Sequence, residues 1–230
     1  MLNNFLEKGL EIGLFDIKPL RELDTNRRIN SDVEVIDFDN VKDSLFKKLN
    51  ENNTFSLELT KSCDALKIIP LENRLDFIEI KGIEIFCERN AHLTGVEIET
   101  AIEKQLLRFD LQNKIDHSLF IIQLLIQINQ MGLDGKQRAS FFNQILSEYI
   151  VVIDSHIENN GILEISAMLE FWAETSNIKD EFIIKLKEEM GKVSVLKIRE
   201  PRLMFQSELD GFYAENIKID QSFLQKTIDE

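Results

Sequence analysis

The run Cys63–Gly82, CDALKIIPLENRLDFIEIKG, is the most informative part of this chain. It holds two strand-like segments, Asp64–Ile69 and Leu75–Lys81, joined by a short turn over Pro70–Arg74. So short a link allows only an antiparallel hairpin, because parallel strands need a long crossover. Successive residues of a strand alternate between faces, so Glu79 and Lys81 project together. Asp64, at the mouth of the hairpin, lies across from them. Two carboxylates and one ammonium are thereby predicted to converge. With no Cys or His partner in the pattern, hard oxygen donors favour Mg²⁺ or Mn²⁺, held by Asp64 and Glu79. Lys81 beside such an ion can orient water or counter charge on a phosphate.

Working outward, Val33–Asp39 alternates as a strand, and Asp39–Asn50 repeats its apolar groups at helix spacing. Thr54–Leu59 reads as a further strand, so residues 54–82 are expected to form a three-stranded antiparallel unit, with Gly82–Arg89 extending the sheet. Thr94 and Glu97 have the spacing of a capping box. From there to about Asn129 the apolar period is helical, as one long helix or two broken near Asp110–Asn113. Lys136–Ser147 is expected to be helical, Tyr149–Asp154 a buried strand, and Gly161 a turn. Ile162–Thr175 and Asp180–Met190 read as helices, the second capped by Gly191. Val193–Ile198 reads as a strand, and the chain from Pro201 as irregular and acidic.

An Asp, a spacer and then Glu-x-Lys at the end of an apolar strand resembles the core motif of the PD-(D/E)XK nuclease superfamily. Cys63 stands where that family usually has Pro. The resemblance covers about Val33–Phe109. It implies an α/β fold with a restriction-endonuclease-like core, a mixed sheet flanked by helices, and additional C-terminal helices and strands. The expected organisation is a single α/β domain over 1–230, its core at about 33–130 and an α/β extension at about 136–230. The resemblance further implies metal-dependent hydrolysis of DNA phosphodiester bonds, with Asp64 and Glu79 as metal ligands and Lys81 as the catalytic lysine. By family analogy alone, a restriction-type or antiviral defence setting follows. Family members often carry an acid on the helix before the sheet, for which Asp43 and Glu51 are candidates. They also offer a Gln or Lys from the following helix, for which Gln105 and Lys104 are candidates.

Composition bounds this picture. In 230 residues, 43% are hydrophobic and 30% charged, with 9 Gly and 3 Pro, as in an ordered globular chain. The formal net charge of −14 opposes binding to bare DNA, whose affinity comes largely from neutralised phosphates. A protein partner or homo-oligomer is therefore expected to supply basic contacts. The same acidity suits the alternative, a non-enzymatic interaction protein of immunity or antitoxin type, or a structural subunit with a nuclease-like fold. The only mildly basic stretch holds Lys185, Lys187, Lys192, Lys197, Arg199 and Arg202 among interleaved acids. His92, His117 and His156 form no metal motif, and no phosphate-binding loop, dinucleotide fingerprint or nucleophile elbow is present. Trp172 beside Phe171 reads as core. Cys63 and Cys87 lack zinc spacing and read as free thiols. The opening MLNNFLEKGLEIGLF has neither the basic nor the apolar region of a leader. Leu119–Ile128, broken by two Gln, is too short to cross a bilayer. A cytoplasmic protein with no membrane contact is the expectation.

Overall fold

A computed structural model describes residues 1–51, 61–154, 167–195 and 198–214. One six-stranded mixed sheet organises them, its strands side by side in chain order. They are β1 (Ile17–Pro19), β2 (Glu34–Asp37), β3 (Ala65–Ile69), β4 (Arg74–Lys81), β5 (Leu146–Ile153) and β6 (Arg202–Phe205). The first four run antiparallel to their neighbours, while β5 is parallel to β4 and β6 parallel to β5. The chain is thus α/β, and the sheet continues from the expected core into the expected extension.

The β3–β4 hairpin forms as the sequence predicts. A single 3₁₀ turn over Pro70–Glu72 and a left-handed Asn73 (φ 48°) reverse the chain. Ala65 pairs with Ile78 and Leu66 with Phe77, which puts Asp64 level with Glu79. β4 alternates strictly: Leu75 and Phe77 join the larger apolar core, and Ile78 joins the smaller one on the opposite face. By that parity Glu79 and Lys81 project to the side of the larger core.

The parallel step from β4 to β5 requires a crossover. Four helices supply it: α3 (Glu84–Asn90), α4 (Val96–Phe109), α5 (Leu111–Gln127) and α6 (Gly135–Gln144). The remaining helices are α1 (Leu2–Glu11), α2 (Phe38–Glu51), α7 (Ala167–Lys192) and α8 (206–214). The long helical stretch does break near Asp110, which takes the left-handed conformation at φ 51° between α4 and α5.

Several sequence expectations give way. Gly82–Arg89 does not extend the sheet; Ile83 and Cys87, four apart and both buried, mark the helix period that α3 follows. Thr94 and Glu97 form no capping box: α4 is entered through Gly95 at φ 53° with no side-chain cap. The box occurs instead at Asp134 and Gln137, opening α6. That helix ends at Gln144, so Ser147 lies in β5, which begins at Leu146. Asp180–Met190 is not a separate helix, since α7 runs unbroken through Gly191 to Lys192. Val193–Ile198 forms no strand among its described residues; Ile198 makes one isolated bridge to Ser147. The chain beyond Pro201 is not irregular, because Met204, Leu209 and Tyr213 bury themselves against the second face as β6 and α8. The expected strand Thr54–Leu59, the Gly161 turn and residues 162–166 lie outside the described residues.

Candidate active site

The hairpin register brings the three predicted side chains together. Asp64 Oδ2 accepts a hydrogen bond from the Ile80 amide at 2.6 Å, which fixes its carboxylate at the end of β4. Lys81 Nζ donates to Glu79 Oε1. A fourth charge joins them from the crossover: Lys114 Nζ, on the first turn of α5, lies 2.5 Å from Glu79 Oε1 and 3.3 Å from Asp64 Oδ1. Two carboxylates and two ammoniums therefore form one compact cluster beneath α5.

Each member is held by its surroundings. Glu79 is 0% exposed, and Lys81 lies with its ammonium 4.7 Å from the Phe109 ring centroid, where the ring face attracts a cation. Ser118, one turn after Lys114, accepts from the Cys63 amide at 2.8 Å and donates to the Lys114 carbonyl at 2.7 Å. That pair of bonds ties α5 to the start of β3. Burial, reinforced by neighbouring Asp64, pushes the Glu79 carboxyl up to about 7 against the pull of Lys81 and Lys114. Burial works against the Lys114 ammonium, but Asp64 and Glu79 together hold its pKa above the usual lysine range. The buried Cys63 thiol is pushed well up by burial and the nearby carboxylates, so it stays protonated at neutral pH.

Sequence reasoning missed Lys114. The signal was present, because buried Leu111, Ile115, Ser118 and Ile122 form the core stripe of α5 and Lys114 sits on it. A lysine on an apolar stripe needs a charged partner, and the hairpin provides buried Glu79 and half-buried Asp64. The expected helix residues go elsewhere: Lys104 and Gln105 line a separate cavity of about 490 Å³. Asp43 points away, 75% exposed and 3.6 Å from Lys42, and the side chain of Glu51 lies outside the described residues. His92 is exposed, His117 accepts the Lys61 amide, and His156 lies outside the described residues. Lys185, Lys192, Arg199 and Arg202 of the basic stretch pair with carboxylates. Lys187 is exposed, while Lys197 and the Trp172 side chain are outside the described residues. Cys63 and Cys87 are free and buried.

The donor set suits a hard divalent cation. One positive atom, Lys114 Nζ, already touches both carboxylates, so a single point exists from which a cation reaches Asp64 and Glu79 at once. Glu79 Oε2 is buried without a hydrogen-bond partner, an unmet need in a low-dielectric setting. Two carboxylates leave the other positions of a Mg²⁺ shell to water and phosphate oxygens; among the described residues no group of three His, Cys, Asp or Glu side chains is arranged around a metal position. Asp64 also borders an acidic cleft of about 310 Å³ with Glu22, Asp24, Asp37 and Asp39. Among the described residues no helix is long and apolar enough to cross a membrane. Comparison with family models, with curated proteins and with solved structures returns no match to this chain.

Proposed function

We propose that this chain is a metal-dependent nuclease that hydrolyses DNA phosphodiester bonds, with Asp64 and Glu79 as ligands of Mg²⁺ or Mn²⁺ and Lys81 as the catalytic lysine. The observation that carries this is the meeting of Asp64, Glu79, Lys81 and Lys114 at one point between the β3–β4 hairpin and α5. The mixed sheet flanked by helices, with a parallel strand added beside β4, agrees with a restriction-endonuclease-like core. A bound divalent cation would lower the pKa of water and screen charge on the scissile phosphate. Lys81, held by Glu79 and the Phe109 ring, would orient the attacking water and counter charge developing on the phosphate. Lys114 now neutralises the two carboxylates, and a metal held by them would take the place of its ammonium. A protein partner or a second copy adding basic contacts belongs to the same proposal, since the net charge is −14. A defence or restriction-type setting rests on the family resemblance alone.

The test is cleavage of plasmid, linear and single-stranded DNA with Mg²⁺ or Mn²⁺. Lys81→Ala should lower cleavage about 100-fold or more while keeping the fold and metal affinity. Glu79→Ala should lose both metal and activity. Lys81→Arg should also fail, because the guanidinium has another shape and stays protonated. Wild-type rates from Lys81→Ala would remove the assignment. A second reading has its own support: the two carboxylates are already neutralised by Lys81 and Lys114, as in a structural ion cluster. If the wild type cleaves no nucleic acid with any divalent metal, an acidic interaction protein with a nuclease-like fold is the better account.

A further inference from the structure

Gly82, the residue after Lys81, separates two clefts of opposite character. On one side lies the acidic cleft that Asp64 borders; on the other lies the larger cavity between α3 and α4, and both share Asn26 and Gly82 as wall. The second cavity is rimmed by Arg89, Lys104 and Arg108. Its floor is apolar, built from Ile85, Phe86 and Ala101. On α4, Ala101, Lys104, Gln105 and Arg108 fall at i, i+3, i+4 and i+7, a single helix face, while Ile98, Ile102, Leu106 and Phe109 form the buried stripe beside it.

In a chain of net charge −14, this cavity is lined by three cations and by no carboxylate. Among the described residues Arg89, Lys104 and Arg108 make no ion pair, a trait they share with other surface cations such as Lys47, Lys136 and Lys187; what sets them apart is that they meet at one cavity. The acids beside two of them in sequence are engaged elsewhere: Glu88, next to Arg89, holds Arg28, and Glu103, next to Lys104, holds Lys185. Cations are favoured in a helix's last turn, which covers Arg89 and Arg108, but Lys104 lies a turn earlier. A cluster of unmatched cations costs self-repulsion unless an anion visits it.

We infer that the α3–α4 cleft binds a nucleic-acid strand beside the catalytic point, its phosphates on Arg89, Lys104 and Arg108 and a base against the Ile85–Phe86–Ala101 floor. This rests on the nuclease proposal, and it supplies from the chain itself part of the basic contact otherwise expected of a partner. The cavity size, about 490 Å³, suits one nucleotide unit. On this reading the scissile phosphate lies at the Asp64–Glu79 cluster and a neighbouring phosphate on the basic side of Gly82.

The experiment measures binding, not turnover. The full-length Lys81→Ala chain is titrated in EDTA at low salt against a fluorescently labelled single-stranded oligodeoxynucleotide, read by anisotropy, with duplex DNA as a parallel arm. Combining Arg89→Ala, Lys104→Ala and Arg108→Ala should weaken binding at least tenfold and reduce the salt slope by about 2, from three contacts at roughly 0.7 each on a single strand. Lys104→Glu alone should weaken it in the same direction. Lys47→Ala with Lys136→Ala, two exposed cations elsewhere, should leave it unchanged. Unchanged affinity in the triple variant, equal loss in the Lys47 and Lys136 variant, or no binding by the parent chain each overturn the cleft. Binding that depends on the cleft in a chain whose wild type never cleaves would remove the catalytic assignment and keep the cleft.

Discussion

At the scale of single residues, Glu79 is the group on which the chemistry turns. Its carboxyl is buried at the centre of the sheet face and pushed up from an ordinary 4.5 to about 7 by burial and by Asp64. An acid whose folded pKa is raised keeps its proton where the unfolded chain has lost it. Its contribution to stability is therefore greatest at low pH and declines as pH rises from about 4.5 to 7. The same proton competes with metal, since a carboxylate must ionise to bind a cation. Calorimetric titration with Mn²⁺ should give affinity about tenfold higher at pH 8 than at pH 6, with about half a proton released per ion near pH 7 and close to one below pH 6. Asp64→Ala should abolish the site. Binding independent of pH would exclude Glu79 as a ligand. Asp64 was legible from its place at the hairpin mouth, and Glu79 and Lys81 from period-two alternation. Lys114 was not, because its distance from the hairpin depends on how the crossover packs.

At the scale of elements, the break between α4 and α5 sets where Lys114 lands. Asp110 reverses the helix at φ 51°, ψ 44°, and its carboxylate accepts from Lys61 and from Asn113. Left-handed geometry disfavours residues with a Cβ, and β-branched ones most. Asp110→Val should therefore cost roughly 1–2 kcal/mol in chemical denaturation. Asp110→Gly should be within about 1 kcal/mol of wild type, since it relieves backbone strain but gives up exposed polar contacts. Equal stability for Val and Gly would mean that the turn is not what holds α5 in place. The break itself was readable as a polar interruption in an apolar period. The α3 helix was not, because seven residues after a strand offer too few periods to distinguish helix from continued sheet.

At the scale of the whole molecule, the sheet is completed by strands from the second half. β4 pairs with β5 along all eight of its residues, and every β4 position except Ile80 is buried. Ending the chain before Leu146 would expose that apolar edge, a template for aggregation. A fragment of residues 1–145 should be insoluble or lack cooperative unfolding by circular dichroism, despite containing Asp64, Glu79, Lys81 and Lys114. A soluble fragment that unfolds cooperatively and binds Mn²⁺ would show that β5 is dispensable. The C-terminal segment matters for the same reason: Tyr213 donates to buried Asp76 at 2.9 Å, and Arg74 completes that carboxylate's contacts at 2.9 and 3.1 Å. Nothing in the local sequence after Pro201 announced this, since short segments are ordered by what they cover.

Local sequence was enough for the α/β class, the hairpin, the pairing of Asp64 with the Glu79–Lys81 end and the two free thiols. These depend on nearest-neighbour geometry: strand alternation, a short turn and apolar period, all acting within about twenty residues. Tertiary structure alone decided that Lys114 bridges the carboxylates, that unmatched cations of α3 and α4 face one cavity, and that β5 and β6 close the sheet. Those outcomes come from contacts between segments tens of residues apart. There, burial of apolar faces chooses the arrangement, and the polar groups carried along must find partners or remain available to a ligand.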